Sequence, residues 1–226
     1  MDRVGAIVPA AGHSVRMRGI DKLFTPLLNR PLLAWCVDVL EGHATITRIA
    51  LSIRRERWDE AQSLCVAAGW KKTCLVVGGE RRQDSVARAL NVLGDVDWVL
   101  VHDGDRPFLD DQLIETGLRF ARETGVAVAA IPVTDTVKVV NADGLVVATP
   151  QRDSLRAVQT PQVFRADVFR HAYSCLRETV TDDAMLAERL GYSVRLYPGS
   201  TENIKVTTPD DLLIAAEIAR RREARQ

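Results

Sequence analysis

The first chemistry that the sequence suggests is the binding of a phosphate group near the amino terminus. Residues 4–9 form a short apolar run typical of a β-strand, and Ala-Ala-Gly follows at residues 10–12. Small residues let a ligand approach the backbone closely, and the cations Arg16 and Lys22 come a few positions later. Exposed backbone N–H groups and basic side chains can share the charge of an anion at such a strand-to-loop junction.

A carboxylate that could hold a metal ion follows a second apolar run. Residues 98–102 are predicted to form a strand, and Asp103 comes directly after them. Because Mg²⁺ needs only one or two carboxylates beside substrate phosphates, Asp103 is the candidate metal ligand. Arg16, Lys22 and Lys205 are the candidate catalytic cations, since they can stabilise phosphate oxygens during an in-line displacement.

Motifs of several other enzyme classes are missing from the sequence. The four histidines lack ligand spacing such as H-E-x-x-H, and the four cysteines form no C-x-x-C pair, which argues against a zinc site and a disulfide framework. There is also no G-x-S-x-G elbow, no Walker P-loop and no G-x-G-x-x-G fingerprint. Hydrolase, ATPase and dehydrogenase functions are therefore disfavoured.

Length and composition limit the class of protein. The 226 residues, 46% of them hydrophobic, can build one domain over residues 1–226. Thirty basic residues balance thirty acidic ones, so no overall positive field would recruit nucleic acid. No apolar run approaches the ~20 residues of a membrane span, and the chain opens without a signal peptide. We therefore expect a soluble cytoplasmic protein that binds neither nucleic acid nor membrane.

The elements that must position these residues alternate between strand and helix. Strands are predicted at residues 46–53, 73–77, 98–102 and 126–131 after the first, and helices at residues 32–40, 58–68, 84–93 and 113–123. This alternation indicates a mainly parallel α/β sheet flanked by helices. Ligands bind beyond the carboxyl ends of the strands in such sheets. The segments after the strands, residues 10–22, 78–85 and 102–107, should thus lie together.

The second half of the chain breaks the alternation. Residues 136–140 and 145–149 predict a β-hairpin around Asn-Ala-Asp-Gly, in which Asp-Gly supplies positive φ angles. Because an isolated hairpin is marginal in water, this arm at about residues 136–152 is expected to pack on a second subunit. Further strands are predicted at residues 194–197 and 203–206, the latter carrying Lys205, and a final helix at Thr208-Pro209.

With these segments placed, the whole chain resembles the 2-C-methyl-D-erythritol 4-phosphate cytidylyltransferases of the non-mevalonate isoprenoid pathway. The resemblance rests on a set of short motifs: Pro-Ala-Ala-Gly at 9–12 with Arg16 and Lys22, Gly-Gly at 78–79 with Asp84-Ser85, His102-Asp103 with Arg106-Pro107, Asp135-Thr136, Thr160-Pro161-Gln162, Thr181-Asp182, and Asn203-Ile204-Lys205-Val206-Thr207. It implies a Rossmann-like nucleotidyltransferase fold in which the β-hairpin is a dimerisation arm.

The resemblance also implies a reaction and a role for each matching residue. A cytidylyl group would pass from CTP to the 4-phosphate of methylerythritol phosphate, with release of pyrophosphate and with Mg²⁺ or another divalent cation on Asp103. Arg16, Lys22 and Lys205 would be catalytic. CTP would be bound by Pro9, Ala10, Ala11, Gly12, Gly79, Glu80, Ser85, Asp103 and Gly104. The polyol phosphate would be bound by Arg106, Thr136, Arg152 and Thr160, with Thr136 and Arg152 reaching across a homodimer.

Four residues depart from the family pattern. Ser14 stands where glycine is usual, and Asp105 replaces a small residue beside the metal carboxylate, where it could bind the cation or point away. Glu80 stands where aspartate is common and Asp183 where glutamate is common, so each keeps a carboxylate. These departures affect the expected affinity for CTP or metal and leave the assignment intact.

Two alternatives stay open at this point. A ribitol-5-phosphate cytidylyltransferase would share the fold, the metal carboxylate and the arm, although the Pro-Ala-Ala-Gly opening favours methylerythritol phosphate. A non-catalytic nucleotide-binding module is the alternative from another class. The presence of Arg16, Lys22, Asp103 and Lys205 together argues against it.

Overall fold

A seven-stranded sheet forms the centre of the part of the chain that the structure describes. The computed structural model describes residues 2–12, 21–176 and 179–225. Its strands, in chain order, are β1 (Val4–Ala10), β2 (Pro26–Leu27), β3 (Arg30–Pro31), β4 (Ile46–Ile53), β5 (Thr73–Val77), β6 (Trp98–Val101), β7 (Val126–Pro132), β8 (Val139–Val140), β9 (Val146–Ala148), β10 (Arg156–Arg165) and β11 (Arg195–Pro198). The main sheet has the order β11-β7-β10-β6-β1-β4-β5, and β2-β3 and β8-β9 form two small hairpins.

Helices cover both faces of this sheet. They are α1 (Leu32–Gly42), α2 (Trp58–Ala68), α3 (Arg82–Val92), α4 (Asp111–Thr124), α5 (Ala166–Ser174), α6 (Ala184–Arg189) and α7 (Pro209–Glu223). One apolar core includes residues of α1, α4 and α7, and the other includes residues of α3, α5 and α6. No helix in the described ranges has both the length and the apolar character required to cross a membrane.

The strands are apolar on both faces because both faces are covered. In β1, Val4, Ala6 and Val8 pack in the first core, while Ile7 packs in the second. Parallel pairing joins β1 to β4 and β6, β4 to β5, and β7 to β11. The mainly parallel α/β sheet predicted from the sequence is confirmed. Strand β5 is only half-buried, contrary to expectation, because it lies at the edge of the sheet.

One central strand runs against the others, and the sequence pattern did not predict it. Strand β10 is antiparallel to both β6 and β7 and separates them. Its middle contains Gln159, Thr160 and Gln162, which hide the strand pattern although all three are buried. Each of these polar side chains has a hydrogen-bond partner, which makes its burial tolerable.

Two other predictions need correction. Residues 203–206 do not form a strand. The Val206 N–H donates to the Asp105 carbonyl in a loop, and the Asn203 side-chain amide donates to the Thr160 carbonyl of β10, so these contacts differ from the regular ladder of a strand. The arm hairpin is shorter than predicted. In its Asp-Gly turn only Gly144 has a positive φ, 78°, whereas both residues were expected to have one. The turn that closes it is held by the Asn141 N–H donating to the Leu145 carbonyl at 3.0 Å.

Candidate functional site

The site lies where the strand order reverses, at the carboxyl ends of β1 and β6. These strands are neighbours in the sheet, but the chain leaves β1 for β4 and returns to β6 on the other side. Such a reversal opens a crevice between the loops that follow the two strands. A cavity of about 210 Å³ occupies this position, lined by Pro9, Ala10, Ala11, Gly12, Lys22, Leu23, Gly79, Glu80, Arg81, Arg82, Ser85, Asp103, Asp105 and Lys205.

One wall of the cavity depends on a close approach between two backbone segments. A Cβ atom added at Gly78 would lie 2.1 Å from the Cβ of Ala11, so only glycine fits there. The Ser85 hydroxyl then fixes the next residue by accepting a hydrogen bond from the Gly79 N–H at 3.0 Å. The loop after β5 therefore packs closely against the loop after β1 through Gly78, and one hydroxyl group of helix α3 fixes its next residue.

Lys22 projects into the cavity from the opposite side. Its Nζ donates to Asp105 Oδ2 at 2.5 Å and to the Val206 carbonyl at 2.7 Å. The two side chains of this ion pair are only 12% and 13% exposed. Asp105 therefore points towards the catalytic candidate Lys22, which the sequence alone did not determine. The other oxygen of Asp105 is buried and has no hydrogen-bond partner among the described residues.

The Asp103 carboxylate is surrounded by cations. Its Oδ1 accepts hydrogen bonds from Arg82 Nε and Nη2 at 3.2 and 3.0 Å, and its Oδ2 accepts one from Lys205 Nζ at 2.8 Å. Burial acts to raise the pKa of Asp103, but Arg82, Lys205 and Arg106 outweigh it and hold the pKa well below its usual range. Asp103 is therefore ionised at neutral pH.

A buried polar chain fixes the backbone that carries Asp103. Thr160 Oγ1 accepts from the Asp103 N–H at 3.0 Å and lies 3.1 Å from His102 Nδ1, while His102 Nε2 lies 2.9 Å from the Arg106 carbonyl. Burial lowers the pKa of His102 to about 4, so its imidazole is neutral at pH 7. Because a carbonyl can only accept, Nε2 carries the proton and Nδ1 accepts from Thr160.

A second cavity, of about 450 Å³, adjoins the first. It contains the predicted substrate residues Arg106 and Thr160, together with Gln159, Gln162, Thr181 and Asp182. The two cavities have Arg82, Asp103 and Lys205 in common. Two ligands bound in them would therefore meet at a wall made of one carboxylate and two cations.

The remaining predicted site residues lie elsewhere. Thr136 and Arg152 are exposed on and beside the arm, lining neither cavity, and Arg152 Nη1 donates to the Thr134 carbonyl. Gly104 packs against Ala10 and Leu33 and does not line the cavity. Arg16 and Ser14 lie outside the described residues.

The sequence did not predict the buried side chains that support Arg82, one of the hydrogen-bond donors to Asp103. Arg82 Nη1 donates to Asp183 Oδ2 at 2.7 Å, and the Tyr173 hydroxyl donates to the other oxygen of Asp183. Arg82 stood in the segment expected at the site, but nothing in the sequence indicated its partners on distant elements. Within the described ranges, no group of three or more His, Cys, Asp or Glu side chains is placed to hold a metal ion.

Comparison with known proteins places this geometry in one family. The family model described as IspD, 2-C-methyl-D-erythritol 4-phosphate cytidylyltransferase, matches residues 4–221. A protein of that name from Dehalococcoides mccartyi strain 195 is 46% identical over 95% of both chains, and one from Desulforamulus reducens is 42% identical over 98% of both.

Solved structures agree with the sequence relatives. The 4-diphosphocytidyl-2C-methyl-D-erythritol synthase of Anaerococcus prevotii is 28% identical and superposes with a TM-score of 0.86, covering 97% of this chain and 99% of that one. The 2-C-methyl-D-erythritol 4-phosphate cytidylyltransferase of Thermus thermophilus is 30% identical, with a TM-score of 0.78 and coverage of 96% and 99%. The resemblance inferred from the sequence motifs is confirmed.

Proposed function

The chain belongs to the family of 2-C-methyl-D-erythritol 4-phosphate cytidylyltransferases, and we propose that it transfers a cytidylyl group from CTP to 2-C-methyl-D-erythritol 4-phosphate. The products are 4-diphosphocytidyl-2-C-methyl-D-erythritol and pyrophosphate. The observation that carries the proposal is the pair of adjoining cavities with Arg82, Asp103 and Lys205 in their common wall. A cytidylyl group can be transferred only if the phosphate of one substrate reaches the α-phosphate of the other, so the two binding sites must adjoin.

We assign CTP to the cavity between the loops after β1 and β5. Pro9 and residues 10–12 form one side, with Gly79, Glu80 and Ser85 opposite, so backbone groups at fixed positions can read a pyrimidine. Lys22 and Lys205 line the same cavity and, with Arg16, would stabilise the triphosphate as charge builds on its oxygens. Catalysis would rest on positioning and charge, since none of these cations is a nucleophile at neutral pH.

We assign the polyol phosphate to the second cavity. Arg106 and Thr160 line it, and the shared wall lets a phosphate oxygen there approach the α-phosphate of CTP for in-line attack. Thr136 and Arg152 would complete this subsite from a second copy, because neither lines the cavity within one chain. The residue range 1–226 would thus act as one nucleotidyltransferase domain with an arm at about residues 136–152.

A homodimer through the arm is supported by exposed apolar surface. The hairpin and its flanks expose 38% to 65% of each of Val137, Val139, Val140, Leu145, Val146 and Val147. A concentration of exposed apolar side chains on one hairpin is typical of a protein interface. The partner we propose is a second copy of this chain, whose arm would be covered reciprocally, as twofold symmetry requires.

We propose Mg²⁺, or another divalent cation, as the cofactor, with Asp103 as its ligand. The residues fit a hard cation: Asp103 is ionised, and Asp105, in the loop two residues on, has a buried oxygen without a hydrogen-bond partner among the described residues. When bound, the ion would neutralise triphosphate charge. Lys205 is 37% exposed and flexible, so it can release Asp103 Oδ2 for that contact.

We infer a cytoplasmic location from the cysteines. Cys36, Cys65, Cys74 and Cys175 are all free thiols. Free thiols persist in a reducing compartment, whereas secreted domains of this size commonly use theirs in disulfides.

A pyrophosphate-release assay tests the proposed reaction. We expect turnover with CTP and 2-C-methyl-D-erythritol 4-phosphate in the presence of Mg²⁺, and loss of turnover when the cation is removed by a chelator. Parallel reactions contain ribitol 5-phosphate, or ATP in place of CTP. Turnover with ribitol 5-phosphate alone would replace the proposed substrate, and no turnover with any polyol phosphate would contradict the proposal.

A further inference from the structure

We propose that Arg82 is a positioning residue whose guanidinium, anchored by the buried pair Asp183 and Tyr173, fixes the orientation of the Asp103 carboxylate in the wall between the two cavities. The proposal rests on the reaction proposed above, in which Asp103 faces both substrates. It gives a function to three side chains that neither motif comparison nor topology had assigned.

The Arg82 guanidinium joins two carboxylates. Its Nε and Nη2 donate to the same oxygen of Asp103, Oδ1, at 3.2 and 3.0 Å, and its Nη1 donates to Asp183 Oδ2 at 2.7 Å. A guanidinium is planar and its donors have fixed directions, so binding Asp183 at one end determines where the other end can hold Asp103. A lysine at this position could not impose both directions at once.

Asp183 is the fixed point of this arrangement. Its side chain is 0% exposed, and both of its oxygens are used, one by Arg82 and the other by the Tyr173 hydroxyl. Burial and the neighbouring Asp183 carboxylate raise the pKa of Tyr173 well above its usual value, so the phenol remains a proton donor. Arg82 cannot leave Asp183 without creating an unpaired buried carboxylate, which is strongly unfavourable.

Of the three cations around Asp103, the two that donate hydrogen bonds to it, Arg82 and Lys205, are held differently. Lys205 is 37% exposed, and its Nζ lies 2.8 Å from Asp103 Oδ2 and 3.8 Å from Asp105 Oδ1. A triphosphate can draw Lys205 away, because a lysine side chain is flexible and its ion-pair partners, Asp103 and Asp105, themselves line the cavity. Arg82 is in addition bound to Asp183, which lines neither cavity. Arg82 stays on Oδ1, so Oδ2 is the oxygen that becomes available when substrates bind.

Asp183 and Tyr173 act only through Arg82. Arg82 lines both cavities, whereas Asp183 and Tyr173 line neither. Replacing either of them leaves every cavity-lining side chain in place and changes only the support behind Arg82. Outer residues of this kind commonly alter activity about 10- to 100-fold.

Steady-state kinetics of Asp183→Asn and Tyr173→Phe test the proposal. We expect kcat to fall about 100-fold in Asp183→Asn and about 10-fold in Tyr173→Phe, with KM for CTP within about threefold of wild type. The matched controls are two substitutions away from the site. Asp167→Asn breaks an exposed ion pair with Arg165, and Tyr192→Phe removes the hydroxyl group that contacts the exposed His171 side chain. Both controls should retain wild-type kcat.

Wild-type kcat in both folded variants would overturn the proposal, as would an increase in KM alone. Thermal melting establishes that each variant is folded; if Asp183→Asn is not, Tyr173→Phe decides. A conservative series at Arg82 adds a second criterion, because Arg82→Lys should recover little of the kcat that Arg82→Gln loses. Full recovery by lysine would show that charge alone suffices and would contradict the positioning role.

Crystal structures of the ligand-free protein separate this proposal from the proposed reaction. In Lys205→Gln we expect Arg82 to keep its contacts with Asp103 Oδ1, and in Asp183→Asn we expect the Asp103 carboxylate to rotate. An unchanged Asp103 in Asp183→Asn would overturn the positioning role. Wild-type protein without turnover in the pyrophosphate assay would instead contradict the reaction, and the crystallographic result would still decide the role of Arg82.

Discussion

At the scale of single residues, the contacts of Lys22 bear on its proposed role in binding the triphosphate. Its ammonium contacts an acidic oxygen of Asp105 and the Val206 carbonyl, which are acceptors of the kind that a triphosphate offers. Asp105 adds negative charge that a small residue would not supply. In the proposed reaction CTP would therefore compete with Asp105 for Lys22, and breaking this ion pair would reduce the affinity for CTP.

Replacing Lys22 should affect the reaction far more than replacing an exposed lysine. We expect Lys22→Ala to lower kcat/KM for CTP at least ~10²-fold, because it removes one preorganised charge from the transition state. Lys71→Ala, on an exposed loop residue, is the control and should be neutral. Initial rates of pyrophosphate release measure both, and a Lys22→Ala variant with the wild-type value would exclude Lys22 from catalysis.

The neutral buried imidazole of His102 should make stability depend on pH. Burial lowers its pKa to about 4 from 6.5. Between these values the unfolded chain binds a proton that the folded protein does not, so the free energy of unfolding is highest above pH 6.5 and falls as the pH drops towards 4. The full difference corresponds to about 3 kcal/mol.

Urea unfolding across this pH range measures the effect. His102→Gln should flatten the pH dependence, whereas His171→Gln, which alters an exposed histidine, should preserve it. Asp103 contributes in a lower window, since its pKa lies below the usual range and its stabilising charge is lost only at more acidic pH. A His102→Gln variant with an unchanged slope would rule out His102 as the cause.

At the scale of elements, the loop after β5 is held by a contact that tolerates no side chain. We expect Gly78→Ala to lower the free energy of unfolding by about 1–3 kcal/mol, because the new Cβ would overlap Ala11. Gly42→Ala is the matched control: no atom lies within 4 Å of its added Cβ, and it ends helix α1. Chemical denaturation compares the two, and equal stability of both variants would contradict the close approach.

Elements with a regular apolar period could be predicted from the sequence, and elements held by polar contacts could not. Helices α2 and α4, for example, are followed by Gly69 and Gly125, whose positive φ values end them close to the predicted boundaries. Strand β10 was missed because Gln159 and Gln162 resemble surface residues until their buried partners are known. Residues 203–206 resembled a strand by composition, but their backbone groups bond to loops.

The residues of the candidate site also fall into those that could be predicted from the sequence and those that could not. Asp103, Lys22 and the glycine loop could be found because topology places the carboxyl ends of parallel strands together. The anchor of Arg82 could not, since Tyr173 on α5 and Asp183 before α6 come near it only through tertiary packing. A single sequence carries no signal for such a three-way contact.

At the scale of the whole molecule, the arm exposes several large apolar side chains close together in the sequence, among the residues that the structure describes. We expect the protein to sediment as a dimer at micromolar concentration. The double variant Val140→Lys, Val146→Lys should sediment as a monomer, since it places charges on paired, exposed apolar positions of the hairpin.

The same variant should change the KM values of the two substrates to different extents. Its KM for the polyol phosphate should rise at least about 10-fold while its KM for CTP changes little, because in the proposed dimer only the second subsite would depend on the arm of another copy. Val66→Lys, at a 78% exposed position on α2, controls for added surface charge. A fully active monomer would contradict the role of the arm.

The position of β10 has a consequence for how the chain assembles during synthesis. Strands β5, β4, β1 and β6 are adjacent in the sheet and are complete once residue 101 has been made. Strand β7 follows in the chain but has no place beside them until Arg156–Arg165 arrives to lie between β6 and β7. A nascent chain released before that point would leave one edge of β6 and both edges of β7 unpaired, and such edges invite aggregation. Ribosome-bound chains of intermediate length are therefore the ones that should need chaperones most.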